Sequence, residues 1–379
     1  MRILLTTETF ESGWAFARGL CDQLLQRGHE LALVGFGRRL SHEQQAWVAE
    51  RSSTYRRSFQ FVASNAPLEW MQDNEFVLTQ GAGVLHHVAR NFQPDLLHSS
   101  QFCFGALGLE IPKLITAHHD AFSWIQACRG GKPEHTRWMR QYRTLVTDGL
   151  NGADAVVSPT RWMALSLKQQ FATLPASYVI HDGRAITAAP PSHLRILQAI
   201  TTGRLWDETK NIRMLESVLS PVPIYVVGER KHHETVSPKQ LGKAILLGGL
   251  PESTLQSLYA RSKLYVDVSV YAPSGLDALE AALCGCAVLA HDIPSTREIW
   301  GDAAFYFRNA RELSSILHQL NRNSEQLSEM QRRSYERASK LTPDRMADGY
   351  EAIYEMLLAP KLSETSVPAE QHHIAAHAA

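Results

Sequence analysis

The chain has 379 residues, of which 38 are basic and 38 acidic, so its formal net charge is zero, and 44% of its residues are apolar. This length favours two domains. A zero net charge provides no field that would attract nucleic acid. The five cysteines show no CxxC spacing, which indicates neither a zinc site nor a disulfide framework. We therefore expect reduced thiols and no metal site.

The N-terminus turns polar after Leu5, which is too short an apolar run for a signal peptide. No stretch approaches the length of a membrane span. We expect a cytoplasmic protein without an integral membrane segment, while peripheral contact with a membrane stays open.

The first half of the chain predicts an alternation of strands and helices. A buried strand is expected at residues 2–7, a polar loop at 8–13, a helix up to Arg27 and a second strand at 30–34. Strand, helix and strand within about 35 residues form a βαβ unit, which implies a parallel sheet. Further strands are predicted at 96–98, 114–116, 155–158 and 178–181.

The clearest break in composition is residues 185–192, AITAAPPS, which we interpret as an interdomain linker. Strands are then predicted at 197–201, 224–227, 245–247, 264–268 and 288–290. The pattern predicts two doubly wound α/β domains, residues 1–184 and 193–342, whose ligands bind beyond the carboxyl ends of the strands. A final helix is expected at 343–360, and residues 361–379 are expected to be disordered.

Residues 271–280, YAPSGLDALE, join a predicted strand to a predicted helix. Ser274, Gly275 and Leu276 open that helix, whose free amides and partial positive charge suit a phosphate. Glu280 lies about one turn further along, where its carboxylate could accept hydrogen bonds from a ribose diol. An ordinary turn with a solvated glutamate has the same spacing, so this segment alone does not decide between the two.

Residues 202–211, TGRLWDETKN, follow another predicted strand. Arg204 and Lys210 could together bind a diphosphate, because arginine offers a fork of donors and lysine a point charge. The alternative is a pair of ordinary surface cations.

Two strand ends in the first half also carry polar groups. His118 and His119 follow one strand, and a histidine near a ligand is more plausible there than a metal site, because adjacent side chains of a strand point to opposite faces. Glu8, Gly13 and Trp14 follow the first strand. Gly13 permits close approach of a ligand, whereas Trp14 could stack on a sugar or pack in the core.

Together these segments resemble a family-4 glycosyltransferase of the GT-B fold. The ordered set comprises the first strand and its glycine, the histidine strand end, the Gly203–Lys210 segment, and the sequence GLDALEAALCG that begins at Gly275. The resemblance extends from Met1 to about residue 358. It implies two Rossmann-like domains that face a cleft, with the last helix returning to the first domain.

The resemblance also implies roles for individual residues. Arg204 and Lys210 would bind the diphosphate, His118 would lie near the donor sugar, and Glu280 would bind the ribose hydroxyls. The turn containing Ser274, with the amides of Gly275 and Leu276, would hold the β-phosphate. The stretch Gly248 to Leu250 would contact the base. Gly13 would close over the diphosphate and the acceptor, for which Glu8 and Trp14 are the candidate contacts and residues 61–80 and 121–137 the candidate loops.

One position departs from the family pattern. The first glutamate of the family's Glu-x7-Glu motif falls on Ala272, so a carboxylate that contacts the donor sugar is missing. Asp277 or the amides of the 273–275 turn could hold the sugar instead.

The expected activity is that of a retaining hexosyltransferase. It would move a hexose from a nucleotide diphosphate sugar, by default UDP-glucose, to a hydroxyl of a carbohydrate, glycolipid or small molecule, without a metal or other cofactor. Two alternatives stay open: a nucleotide-sugar-binding protein without transfer activity, which Ala272 favours, and a GT-B epimerase, which the missing carboxylate disfavours.

Overall fold

The computed structural model describes residues 1–72, 74–131, 136–186, 195–229, 231–232, 235–236 and 241–360. Most of the predicted linker at 185–192 and the whole predicted tail at 361–379 lie outside the described residues. Within the described part, the chain forms two parallel sheets with helices on both faces. The predicted α/β class is thereby confirmed.

The first sheet consists of seven parallel strands, and the switch in their order falls between the first and the fourth. These strands are β1 (Arg2–Glu8), β2 (Glu30–Phe36), β3 (Phe59–Ser64), β4 (Leu96–Ser99), β5 (Lys113–Thr116), β6 (Ala155–Ser158) and β7 (Ala176–Val179). Their order is β3-β2-β1-β4-β5-β6-β7. All were predicted except β3, which takes up the start of a region expected to be an acceptor loop.

The helices of this half cover both faces of the sheet. They are α1 (Glu11–Gln26), α2 (His42–Thr54), α3 (Ala82–Phe92), α4 (Ala121–Arg129), α5 (Arg137–Gly152) and α6 (Arg161–Gln170). Side chains of β1 alternate between the two faces, so that Ile3 and Leu5 pack in one core cluster and Leu4 in another. This two-sided burial explains the continuous apolar strands.

The second sheet has the same design. Its strands are β8 (Ile196–Thr202), β9 (Ile224–Val227), β12 (Ile245–Gly248), β13 (Ser262–Asp267), β14 (Ala287–His291) and β15 (Phe305–Phe307), with the short pair β10 (Lys231–His232) and β11 (Thr235–Val236) between β9 and β12. The six strands lie parallel in the order β12-β9-β8-β13-β14-β15. The helices of this half of the chain are α7 (Glu252–Arg261), α8 (Leu276–Leu283), α9 (Pro294–Trp300), α10 (Ala310–Arg322), α11 (Ser324–Ala338) and α12 (Pro343–Leu358).

The last helix, α12, packs on the first sheet and its helix α1, as the sequence predicted. Thr342 caps it and Pro343 occupies its first turn. Its buried aromatic side chains reach a polar group inside the core: His98 Nδ1 lies 2.7 Å from Tyr354 Oη, and His98 Nε2 lies 2.6 Å from Thr116 Oγ1. Burial, together with the neighbouring His118, lowers the pKa of His98 to about 3, so this histidine is neutral in the folded protein.

Candidate active site

The N-terminus of α8 is open toward the cleft. Gly275 adopts a left-handed conformation at φ 64° and is the N-cap, where no side chain caps the helix. A Cβ at this position would come within 2.9 Å of Ile299 Cδ1, so the turn requires glycine. The first-turn amides, including that of Leu276, therefore keep their capacity to bind an anion. Ser274 precedes this turn and is partly exposed.

Lys210 lies at this helix start, and the charge of Arg204 is near enough to lower the pKa of Asp277 there. Lys210 Nζ is 2.6 Å from Asp277 Oδ2 in the first turn of α8, and Arg204 Nη2 is 2.7 Å from Asp207 Oδ2. Burial lowers the pKa of Lys210, but the carboxylates of Asp277, Asp267 and Asp207 together outweigh it, so the pKa is raised. Burial raises the pKa of Asp277, but Lys210, Arg184 and Arg204 together outweigh it, so this pKa is lowered. Two segments separated by 67 residues thus form one charged site.

The carboxylate of Glu280 is held by two neighbours. Gln256 Nε2 donates to Oε1 at 2.8 Å, and Arg184 Nη2 approaches Oε2 at 3.4 Å. Arg184 also donates to Glu252 at 3.0 Å. Glu280 is only 7% exposed, so these contacts fix its orientation.

A residue from α1 completes this cluster. Both guanidinium ends of Arg18 donate to the Glu252 carboxylate, at 2.8 and 2.9 Å. This hydrogen bond raises the pKa of Arg18. Burial raises the pKa of Glu252, but Arg18 and Arg184 together outweigh it, so this pKa is lowered. Sequence reasoning missed this cluster, because nothing local signals a contact between residues 234 positions apart.

The two histidines after β5 point to different partners. His118 packs edge-on against Phe16, and its Nε2 lies 3.5 Å from Asp182 Oδ1. His119 Nε2 lies 3.7 Å from Glu8 Oε1. The two side chains therefore diverge from each other. Among the described residues, no three His, Cys, Asp or Glu side chains form a group that would hold a metal ion.

Glu8 lies at the carboxyl end of β1, where Trp70 Nε1 donates to its carboxylate at 3.1 Å. Trp14, the second candidate acceptor contact, is buried in the core and packs edge-on against Trp47. Of the two alternatives for Trp14, stacking on a sugar or packing in the core, the structure has the core packing, because the helical period turns the side chain toward the sheet rather than toward the cleft. Gly13, expected in a loop, belongs to the first turn of α1, where a Cβ would come within 3.2 Å of Glu8 Cβ.

The stretch predicted to contact the base lies at the carboxyl end of β12. Gly248 has φ 79°, and Leu250 is partly buried against the second domain's core. Glu252, at the start of α7, follows directly. The stretch is therefore close in the chain to the carboxylate cluster that contains Glu280.

Two family models match this chain in succession. The model of Glycosyltransferase Family 4 matches residues 15–184, and that of Glycosyl transferases group 1 matches residues 197–323. The chain belongs to the family-4 glycosyltransferases. The family suggested by the sequence motifs is confirmed.

Solved structures share the fold of this glycosyltransferase at low sequence identity. Sucrose-phosphate synthase from Thermosynechococcus elongatus is 14% identical, with a TM-score of 0.75 over 95% of this chain and 99% of that one. The Anabaena protein HepE in complex with UDP and glucose is 16% identical, with a TM-score of 0.70 over 93% and 99%. A glycosyltransferase from Rickettsia africae is 15% identical, with a TM-score of 0.68 over 94% and 98%. A sequence search of curated proteins gives no significant match.

The two domains of the glycosyltransferase touch through the loop that carries the altered motif. Tyr271 is buried, and its Oη accepts a hydrogen bond from the Asp120 amide at 3.2 Å and lies 2.9 Å from Ser123 Oγ. In addition, the Glu298 carboxylate accepts hydrogen bonds from the first amides of α6. These contacts join the carboxyl edges of the two sheets and fix the position of Ala272.

The carboxylate of Asp277 contacts Lys210, whereas the sequence left open that it contacts the donor sugar. Asp277 Oδ2 is paired with Lys210, so one oxygen of the carboxylate that could replace the one missing at position 272 is committed to this cation.

In the part of the chain that the structure describes, no helix combines the length and apolar character needed to cross a bilayer.

Proposed function

We propose that this glycosyltransferase transfers a hexose from a nucleotide diphosphate sugar, UDP-glucose by default, with retention of the anomeric configuration and without a metal ion. The observation that carries this proposal is the Lys210–Asp277 ion pair at 2.6 Å. It joins the Gly203–Lys210 segment to the open start of α8, so that two cations and free helix amides meet in one place. The complex of HepE with UDP and glucose supports UDP-glucose as the first donor to test.

Stabilisation of the leaving diphosphate is the central step in this mechanism. Arg204 and Lys210 each use one of several donors for an aspartate, which leaves further donors for phosphate oxygens. The amides of Gly275 and Leu276 would add the partial positive charge of a helix N-terminus. Fixed donors of this kind stabilise charge that develops in the transition state.

The acceptor would be a hydroxyl of a carbohydrate, glycolipid or small molecule, entering from the side of Glu8 and His119. The hydroxyl would attack the anomeric carbon from the face that the diphosphate leaves, and a β-phosphate oxygen would take its proton. His118 would lie beside the donor sugar, and Glu280 would bind the ribose. The Tyr271 contact between the domains would help to exclude water from the cleft.

The test is turnover of a panel of UDP-, GDP- and ADP-sugars with simple glycoside acceptors, in the presence of a chelator. We expect transfer with at least one donor, at a rate that the chelator does not change and with an α-linked product from an α-linked donor, as read by NMR. An inverted product or strict dependence on a divalent ion would overturn the mechanism. Tight nucleotide binding without any transfer would instead support the binding-protein alternative.

A further inference from the structure

The donor-sugar pocket of this chain lacks the carboxylate that position 272 would supply. Asp277 is paired with Lys210, and Asp120 caps α4 by accepting from the amides of Phe122 and Ser123. Asp120 is thus committed to its own helix, and one oxygen of Asp277 to the cation expected at the diphosphate. Asp182, just after β7, is the remaining carboxylate at the carboxyl edge of the first sheet that lies beside His118.

Asp182 is buried without a hydrogen-bond partner. Its side chain is 1% exposed, and neither carboxylate oxygen has a hydrogen-bond partner among the described residues. The facing atom, His118 Nε2, is equally buried and unpartnered at 3.5 Å. Ser158 Oγ, at the end of the neighbouring strand β6, shares this condition. At the carboxyl ends of the adjacent strands β5, β6 and β7, three buried polar side chains thus lack a hydrogen-bond partner among the described residues.

The segment that carries Asp182 reaches the nucleotide side of the cleft. Gly183 lies against α12, where a Cβ would come 2.2 Å from the carbonyl oxygen of Thr342, so its backbone is held in place. Arg184, the next residue, contacts Glu280 at 3.4 Å. Asp182 therefore lies beside His118, expected near the sugar, and two residues from Arg184, which contacts Glu280, expected at the ribose.

A buried carboxylate without hydrogen bonds is costly to a folded protein, and such groups concentrate at functional sites. A carboxylate accepts hydrogen bonds from two hydroxyls, and an imidazole beside it can donate or accept a third. This combination fits a sugar diol. We propose that Asp182, with His118, binds hydroxyl groups of the donor sugar and takes the place of the carboxylate absent at position 272.

This inference rests on the proposed function, because it assigns the sugar half of the same donor site. The alternative is that Asp182 merely stabilises the fold by its charge interaction with His118. The two roles differ in their effect on stability. Neutralising a buried, unpartnered carboxylate should leave the melting temperature unchanged or raise it, whereas breaking a stabilising pair should lower it.

The experiment compares Asp182→Asn with the wild-type protein and with Glu351→Gln. Glu351 also forms a carboxylate–histidine pair, with His29 at 2.5 Å, but on α12 outside the cleft. A thermal-shift panel on the wild type selects the nucleotide sugar that binds best. Calorimetry then measures the affinity of each protein for that nucleotide sugar and for its nucleotide diphosphate alone.

We expect Asp182→Asn to weaken binding of the nucleotide sugar about tenfold or more, with nucleotide diphosphate affinity within about twofold and no fall in melting temperature. Glu351→Gln should lower the melting temperature and leave both affinities unchanged. Equal affinity of Asp182→Asn and wild type for the nucleotide sugar, or a fall in melting temperature without a selective loss of sugar affinity, would overturn the inference alone. If the wild type binds no nucleotide at all, the proposed function fails with it.

Discussion

Replacing Lys210 by methionine tests the proposed role of the ion pair with Asp277. Methionine keeps most of the side-chain volume and removes the charge. Loss of one fixed donor to a leaving oxyanion costs about 2.7–4 kcal/mol, which predicts a fall in kcat of about a hundredfold to a thousandfold. The substitution also leaves the Asp277 carboxylate uncompensated beside the diphosphate.

The repulsion between the uncompensated Asp277 carboxylate and the diphosphate can be separated from the loss of the Lys210 donor by a further substitution. Two like charges about 4 Å apart repel by about 4 kcal/mol at an effective dielectric of 20. Because the Asp277 side chain is 45% exposed, solvent screens much of this repulsion. We expect Asp277→Asn to restore about tenfold of the rate lost in Lys210→Met, which corresponds to about 1.4 kcal/mol.

The assay is the initial rate of transfer with the donor that the panel identifies, together with calorimetry of the nucleotide diphosphate. Lys263→Met serves as the control, because Lys263 lies at the amino end of β13, the edge of the sheet away from the cleft. If Lys210→Met keeps most of the wild-type kcat, or if adding Asp277→Asn gives no recovery, Lys210 does not stabilise the leaving diphosphate in the proposed way.

Three further predictions concern single substitutions. The pKa of His98 is lowered to about 3 in the folded protein, so between about pH 3 and 6.5 the unfolded chain binds more protons than the folded one, and stability falls as the pH drops through this window. The pH slope of the unfolding free energy there should be about 1.4 kcal/mol per unit shallower in His98→Gln, and equal slopes would contradict this. Tyr271→Phe should lower kcat several-fold by loosening the domain contact, with far-UV circular dichroism unchanged; an unaltered rate would disprove a role in closure. Gly275→Ala should weaken nucleotide binding and stability more than Gly130→Ala in calorimetry and thermal melts, because both glycines are left-handed, at φ 64°, ψ 24° and φ 62°, ψ 12°, but only at Gly275 would the added carbon strike a neighbour, Ile299; equal effects would argue against a steric cause.

Local patterns in the sequence predict much of this fold. The helix Leu276–Leu283 begins and ends where its apolar period, glycine and following strand indicate, and the helix that starts at Pro343 follows from a proline at its first position. Strand β3 escaped prediction, because Phe59–Ser64 mixes buried and exposed positions and lies at the edge of its sheet. Strong local signals therefore place the elements, while weakly patterned edge strands depend on tertiary context.

The candidate site was predictable only in part, for a related reason. Arg204, Lys210 and Gly275 were identified because each follows a strand that carries it to the cleft edge. The partners that orient them depend on contacts between distant parts of the chain. Nothing near Glu252 in the sequence indicates that Arg18 is its partner. Trp14 is buried because of its position along the turn of α1, which the residue type alone does not reveal.

The decisive measurement for the proposed donor site is a structure of the protein with bound UDP. We predict the diphosphate at the start of α8, with the amides of Gly275 and Leu276 about 3 Å from the β-phosphate oxygens and Arg204 and Lys210 in contact with them. The ribose hydroxyls should lie on Glu280. A diphosphate bound elsewhere, or bound there without contact to either cation, would contradict the proposed donor site.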